Sequence, residues 1–363
     1  MDPHDRYNRQ KLLAPIGEHG QELLRDATVF VAGCGALGTV AADLLARGGV
    51  GTLVIVDRDV VDYSNLQRQT LFTERDAKQA TPKAEAAKAR LSLINSEVKV
   101  RAFVEEIASD TLHELAQESD LIVDGLDNFP TRYLLNEYSV AEGIPYIYGG
   151  AVATGGMSMP ILPRSDMRRT IQWGQDLVTP CLRCLFPDQP AAGAADTCDT
   201  VGVLATVTST IAAHMVTQAV KLCSGNVSAV DRSLMSIDVW ENEYRRMDIS
   251  HACDDACPCC VGRTFECLNG KAHAGTTVLC GRNSVQIRPT ENPVFNFERV
   301  CERLINYGEF KSSGMALKGV LHEERSPSSE PVEFIVFPDG RAIITGDTDP
   351  VWARGIYDRF IGS

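Results

Sequence analysis

A short apolar run, Thr28-Val-Phe-Val-Ala32, leads straight into Gly33-Cys-Gly35-Ala-Leu-Gly38; a helical pattern over Ala36 to Arg47 and a second apolar run, Thr52-Leu-Val-Ile-Val56, follow. Strand, glycine turn, helix and strand in that order make a βαβ unit, whose crossover sets the two strands parallel. The alternation continues. Thr81-Pro82 suits a helix start, with Thr capping and Pro in the first turn, and the helix runs through Leu91. Val98 to Val104 alternates as a strand, Leu121-Ile-Val-Asp124 is a further apolar run, Thr131 to Gly143 reads as helix and Pro145-Tyr-Ile-Tyr148 as strand. This predicts an α/β fold, a Rossmann-like mostly parallel sheet with helices on both faces.

Past Gly150 the pattern is broken by Pro160, Pro163, Pro180, Pro187 and Pro190, and the run Ala191-Ala-Gly-Ala-Ala195 reads as a mobile loop. An apolar helix over Val203 to Ser224 and a strand over Met235 to Val239 return to the core, and a cysteine cluster, Cys253 to Cys260, follows. A length of 363 residues accommodates one large and one small domain. We place the boundary so that residues 1–262 form the large domain and residues 263–363 a small α+β C-terminal domain of unassigned role. In that domain we expect a strand (Ser284 to Arg288), a helix (Val294 to Tyr307), a strand (Met315 to His322), a hairpin turning at Asp339-Gly340, and a helix (Pro350 to Phe360).

Glycines between a strand and a helix let backbone N–H groups approach a phosphate, and the helix N-terminus favours the negative charge. Gly33, Gly35, Ala36 and Gly38 are therefore candidates for a nucleotide, with Asp57 at the end of the second strand placed to accept from a ribose. A tight strand–helix turn is the bland alternative. The polar loop Ser64-Asn65-Leu-Gln-Arg68-Gln69, Lys83 in the next helix and Asp127-Asn128 after the strand ending at Asp124 suit a triphosphate. Cations neutralise phosphoryl oxygens, and Mg²⁺ takes one or two carboxylates plus phosphates, so Asp127 is a magnesium candidate. Taken singly, Arg68 and Lys83 also read as solvated charges and Asp127 as a helix cap.

Two C-x-x-C pairs, Cys181/Cys184 and Cys257/Cys260, have the spacing at which both thiolates of a pair reach one tetrahedral Zn²⁺. Their wide separation leaves redox thiols or unrelated turns open, and Cys259 competes with Cys260. Cys198 precedes the apolar helix, where a helix dipole favours a thiolate; a buried small side chain is the alternative. With 35 basic and 48 acidic residues the net charge is −13, which argues against nucleic-acid backbones and anionic membranes as partners. The first residues show no secretory pattern, and the polar residues within Val201 to Val220 argue against a span, so a cytoplasmic setting is expected.

Arg6-Tyr-Asn-Arg9-Gln10, Gly33-x-Gly35-x-x-Gly38, Asp57, Asn65-Leu-Gln-Arg68-Gln, Pro82-Lys83 and Asp127-Asn128 occur in the order found in the ThiF/HesA/MoeB family. The chain resembles these bacterial adenylyltransferases, relatives of ubiquitin-activating enzymes, over roughly its first 262 residues. The resemblance implies an ATP site, with Asp57 on the ribose, Asn65, Arg68 and Lys83 around the phosphates, and Asp127 on Mg²⁺. It further implies that Arg9 reaches the ATP of a neighbouring subunit in a homodimer. The implied reaction is ATP-dependent adenylation of the C-terminal glycine of a ubiquitin-like sulfur-carrier protein ending in Gly-Gly, releasing pyrophosphate. Sulfur from a donor protein would then enter a thiamine, molybdopterin or tRNA-thiolation pathway. Family members share the paired cysteines of a structural zinc, and a cysteine in the place of Cys198 that can link covalently to the carrier. Ala36 stands where many members carry Gly, and only its backbone N–H is needed there.

Alternatives on the same fold are activation of a tRNA-linked carboxylate, as in threonylcarbamoyladenosine dehydratases, and a non-catalytic nucleotide-binding scaffold. A dehydrogenase lacks a candidate catalytic His or Lys grouping here. Some relatives end in a rhodanese domain, and Cys280-Gly-Arg-Asn-Ser284 faintly resembles its loop, but the strand pattern that follows favours a small α+β module.

Overall fold

The structure, a computed structural model, describes residues 5–164, 171, 173–188, 198–270, 276–279, 283–287, 297–312 and 314–361. The expected loop over 191–195 and Cys280 lie outside these residues. An eight-stranded sheet runs through the first part: β1 (Thr28–Ala32), β2 (Thr52–Val56), β3 (Lys99–Phe103), β4 (Leu121–Asp124), β5 (Tyr146–Val152), β6 (Gly155–Ile161), β7 (Ser233–Asp238) and β8 (Glu243–Asp248). Its order is β3-β2-β1-β4-β5-β6-β7-β8. The five strands from β3 to β5 pair in parallel, and β6, β7 and β8 extend the sheet antiparallel. The central strands β1, β2 and β4 carry near-continuous apolar residues because both their faces are covered. Helices Ala36–Gly48, Lys83–Ile94 and Ala205–Cys223 pack on one face and Phe129–Glu142 on the other.

Of the antiparallel extension only β7 is evident in the sequence. Gly155, Gly156 and Pro160 give β6 the composition of a loop, and Glu-Tyr-Arg-Arg-Met-Asp of β8 is exposed throughout, so neither strand shows an apolar alternation. Pro82 also departs from expectation. It stands just before the helix Lys83–Ile94, and no side chain caps that helix.

Residues 266–269 pack on the helix Phe129–Glu142, where Glu137 Oε2 accepts the Cys267 and Leu268 N–H groups. The chain then enters a second sheet: β9 (Thr276–Leu279), β10 (Ser284–Ile287), β11 (Gly308–Ser312), β12 (Leu317–Arg325), β13 (Pro331–Val336) and β14 (Ala342–Thr345), in the order β11-β12-β13-β14-β10-β9. The β13–β14 hairpin turns at Asp339-Gly340, where Gly340 takes φ +84°. Alternation along these strands gives the sheet two apolar faces. Val285, Phe334, Val336 and Ile344 face the helices Phe297–Leu304 and Pro350–Phe360. Ile335 and Ile343 face the other way, onto Val60, Ala80 and Val104 of the first sheet's connections.

Candidate nucleotide site and cysteine cluster

The strand order reverses between β1 and β4, and in open α/β sheets ligands bind at the carboxyl ends of the strands flanking such a point. The loops that leave β1 and β4 there are Gly33–Gly38 and Gly125–Asn128. They are clasped backbone to backbone. A Cβ at Gly38 would stand 2.0 Å from the Gly33 carbonyl oxygen, and one at Gly125 would stand 2.4 Å from the same atom. Gly33 has φ +85° and is itself closed off by Gly125. Gly35 precedes the helix and Ala36 begins it, both partly exposed, as an anion at the helix N-terminus requires.

Asp57 leaves β2 and closes the other side. Its Oδ2 accepts the Cys34 N–H at 2.7 Å and its Oδ1 the Asp59 N–H at 2.8 Å, so the glycine loop itself orients the carboxylate. Burial pushes the Asp57 carboxyl up, and the Lys83 ammonium opposes that shift. Lys83 is 2% exposed, with Nζ donating to Asp59 Oδ2 at 3.0 Å, which removes the reading of it as a solvated charge. Cys34 is fully buried, and its thiol is raised far above the usual range by burial. It serves packing.

The polar loop forms a short 3-10 turn, Tyr63–Asn65, with a reciprocal cap. Asp62 Oδ1 accepts the Ser64 N–H at 3.0 Å and Asn65 Oδ1 accepts the Asp62 N–H at 3.0 Å. Arg68 Nη1 donates to the Ser64 carbonyl at 2.9 Å, so Ser64, Asn65 and Arg68 move as one unit. Burial acts to raise the Asp62 carboxyl, but the Lys318 ammonium and the Ser64 N–H outweigh it and hold it down to about 2.

Asp127 is exposed, and the Asn128 amide donates to it at 3.3 Å. Asn128, not Asp127, caps the helix, its Oδ1 accepting the Thr131 N–H at 3.0 Å. The Asp127 carboxylate therefore has no capping duty. Its loop is strapped by a buried group that the sequence reading missed. Arg132 donates to Asp124 Oδ2 (3.2 Å) and to the Leu126 and Gly149 carbonyls (2.7 and 3.0 Å), and stacks against Phe129 and Tyr148. Tyr146 completes Asp124 at 2.6 Å. Burial works against the Arg132 charge, but Asp124 outweighs it. The available signal was the carboxylate at the end of an otherwise apolar strand, which must find a cation once buried.

Arg9 is exposed on the short helix Asn8–Lys11. Its neighbour Gln10 donates to the Gly48 carbonyl at 2.9 Å, at the far end of the helix whose start holds the glycine loop. Thirteen residues at 1.5 Å each separate the two ends by about 18 Å, further than an arginine side chain reaches. Arg9 is thus remote from its own chain's glycine loop.

Cys198 lies ahead of the long helix Ala205–Cys223, as expected. It opens the separate four-residue helix Cys198–Val201, half-buried, with Sγ 3.3 Å from the Ala151 carbonyl beyond the middle of β5.

The sulfurs of Cys181, Cys184, Cys257 and Cys260 all lie within 4.8 Å of one another, with Cys181–Cys257 at 3.7 Å and Cys184–Cys260 at 3.5 Å. Tetrahedral Zn–S bonds of about 2.3 Å require sulfurs about 3.8 Å apart, so the donor set fits zinc in number, type and spacing. Cys259 stands outside that set, its sulfur accepting from Asn136 Nδ2 at 3.3 Å while also approaching Cys181. The same Asn136, fully buried, accepts the Leu182 N–H on Oδ1 at 2.8 Å and so ties both cysteine turns to one helix.

Residues 7–259 match the ThiF family. The chain belongs to the ThiF family. The sulfur carrier protein ThiS adenylyltransferase of Bacillus subtilis is 39% identical over 357 residues, 98% of this chain and 99% of that one. That likeness runs on through the second sheet. The SAMP-activating enzyme E1 of Haloferax volcanii is 36% identical over 256 residues, 70% of this chain and 88% of its own. Escherichia coli MccB, solved with ATP, superposes with a TM-score of 0.54 at 24% identity, over 67% of this chain and 69% of that one, a likeness of fold. Among the described residues no helix is long and apolar enough to cross a membrane.

Proposed function

We infer that this ThiF family member is an adenylyltransferase that uses ATP to adenylate the C-terminal carboxylate of a sulfur-carrier protein. The observation that carries the reading is the near full-length likeness to a sulfur-carrier adenylyltransferase. The site supports it in kind, because it offers orientation and charge without a side-chain nucleophile. The carrier carboxylate attacks the α-phosphorus, the bond to the β-phosphate oxygen breaks, and pyrophosphate leaves with the electron pair. What the chain contributes is positioning and neutralisation. Gly33, Gly35, Ala36 and Gly38 would receive phosphates on backbone N–H groups, and Asp57 would accept ribose hydroxyls. Ser64, Asn65, Arg68 and Lys83 would line the phosphates, with Asp127 and Asn128 beside them. A Mg²⁺ held by Asp127 would supply charge neutralisation of the triphosphate.

The remoteness of Arg9 from its own glycine loop supports a homodimer in which Arg9 serves the partner's nucleotide. Cys198 is offered as a residue that can take the activated carrier covalently. Residues 1–262 would be the adenylation domain and residues 263–363 a second, α+β domain, and the setting would be cytoplasmic. Cys181, Cys184, Cys257 and Cys260 would hold a structural zinc, with Asn136 bracing both turns. Asn136→Leu is expected to weaken zinc retention about 10-fold by loosening the Leu182 turn that sets Cys181 and Cys184, measured by competition with a chromogenic chelator. Retention within twofold of wild type would remove Asn136 from the zinc site. The overall reading is tested by ATP–pyrophosphate exchange with a panel of Gly-Gly-ended carriers. Exchange should appear with at least one, and its absence with all would sink the substrate class.

A further inference from the structure

The second sheet does more than follow the first. Its inner face lies across the connections that leave β2, the neighbour of the strand that carries the glycine loop, and β3, the edge strand beyond it. Ala316, Phe337 and Ile343 close over Val60 and Ala80. Polar contacts ring this apolar patch. Arg341, 3% exposed, donates to the Val104 carbonyl at 2.6 Å. Gln286 donates to Glu106 Oε2 at 2.5 Å, while Glu106 Oε1 accepts from Arg58, the residue after Asp57. Lys318 of β12 places Nζ 2.8 Å from Asp62 Oδ2.

That last contact reaches the site. Asp62 divides its two oxygens, one capping the turn that carries Ser64, Asn65 and Arg68, the other taken by Lys318. A hinge-free path therefore runs from β12 through one carboxylate to the phosphate-facing turn. The turn is anchored on its inner side by buried Asn65 and Gln69 and by Leu66 against the core, whereas Tyr63 and Ser64 are exposed and Arg68 bonds back within it, so Lys318 holds the outer side. We propose that the C-terminal sheet is a structural wall of the nucleotide site and that Lys318 is a positioning residue, setting the Asp62–Arg68 turn for the triphosphate. The inference rests on the reading of Asn65 and Arg68 as phosphate-facing.

The ion pair is partly open to solvent, with side chains 31% and 44% exposed, and pairs of that kind add little to global stability. Loss of Lys318 should accordingly appear in nucleotide affinity and not in thermal stability. Calorimetric titration of the full chain with MgATP, beside a melting curve for each variant, separates the two. Lys318→Met is expected to weaken MgATP binding roughly five- to tenfold with an unchanged melting temperature, and Lys318→Arg to restore it to within about twofold. Asp62→Asn keeps a capping oxygen but loses the charge. It should behave like Lys318→Met, and the double variant should be no worse than either single, because both break one link. MgATP binding by Lys318→Met within twofold of wild type, while Arg68→Ala binds poorly, would overturn the role of the wall alone. If Arg68→Ala also binds like wild type, the phosphate-facing assignment itself falls.

Discussion

Asp127→Asn lowers the rate of carrier-dependent ATP–pyrophosphate exchange by roughly 10²- to 10³-fold, the cost of removing one preorganised charge partner from a phosphoryl-transfer site. The substitution keeps the side chain's size and leaves the helix cap to Asn128, so folding should be unaffected. Its carboxylate is exposed at the switch point, on a loop held by the buried Arg132 strap. The site therefore loses charge without losing shape. Raising Mg²⁺ should recover part of the rate if the lost group held the metal. Exchange within fivefold of wild type at limiting Mg²⁺ would take Asp127 out of the site.

Cys257→Ser is the second large effect. Structural zinc sites bind metal with free energies of roughly 10–16 kcal/mol in peptides that fold around them. Here only the cysteine turns and the elements packed on them depend on the metal. The fully buried Cys257 and Cys181 sulfurs face each other at 3.7 Å under the helix Phe129–Glu142. Loss of one ligand should empty the site and lower the melting temperature by roughly 5 °C, which for a chain of this size corresponds to about 3 kcal/mol. Metal content by mass spectrometry and a thermal melt read both. Cys259→Ser is the internal control, since that sulfur faces Asn136 and zinc content should stay at wild-type level. Equal zinc in all three proteins would refute the ligand set.

The parallel half of the fold and the loops at its switch point were legible because their signals are local. Apolar runs, a glycine turn and a carboxylate at the next strand end occur within thirty residues of one another, and each element's pattern agrees with its neighbour's. The ThiF family resemblance drawn from those residues is borne out. The cysteine pairs were legible for the same reason, their i,i+3 spacing, although only the fold brings the two pairs together across more than seventy residues. What stayed hidden depends on distant partners. The Arg132–Asp124 strap joins a helix to a strand end, the exposed β8 has no apolar face to read, and the link from Lys318 to Asp62 crosses 256 positions. Lys318 has the look of any strand lysine until β12 is laid over the first sheet. The separate short helix that Cys198 opens stayed hidden too, since the chain between it and the long helix pairs with a distant segment in the Ala153–Val203 bridge.

The measurement closest to the central claim is intact-mass spectrometry of Gly-Gly-ended carrier proteins incubated with this chain and MgATP, run in parallel with Asp127→Asn. A carrier that gains one adenylyl group with the wild type, and gains little with the variant, is the result expected of a sulfur-carrier adenylyltransferase working through this site. Carriers that emerge unmodified from every wild-type reaction, although MgATP binds, would contradict it.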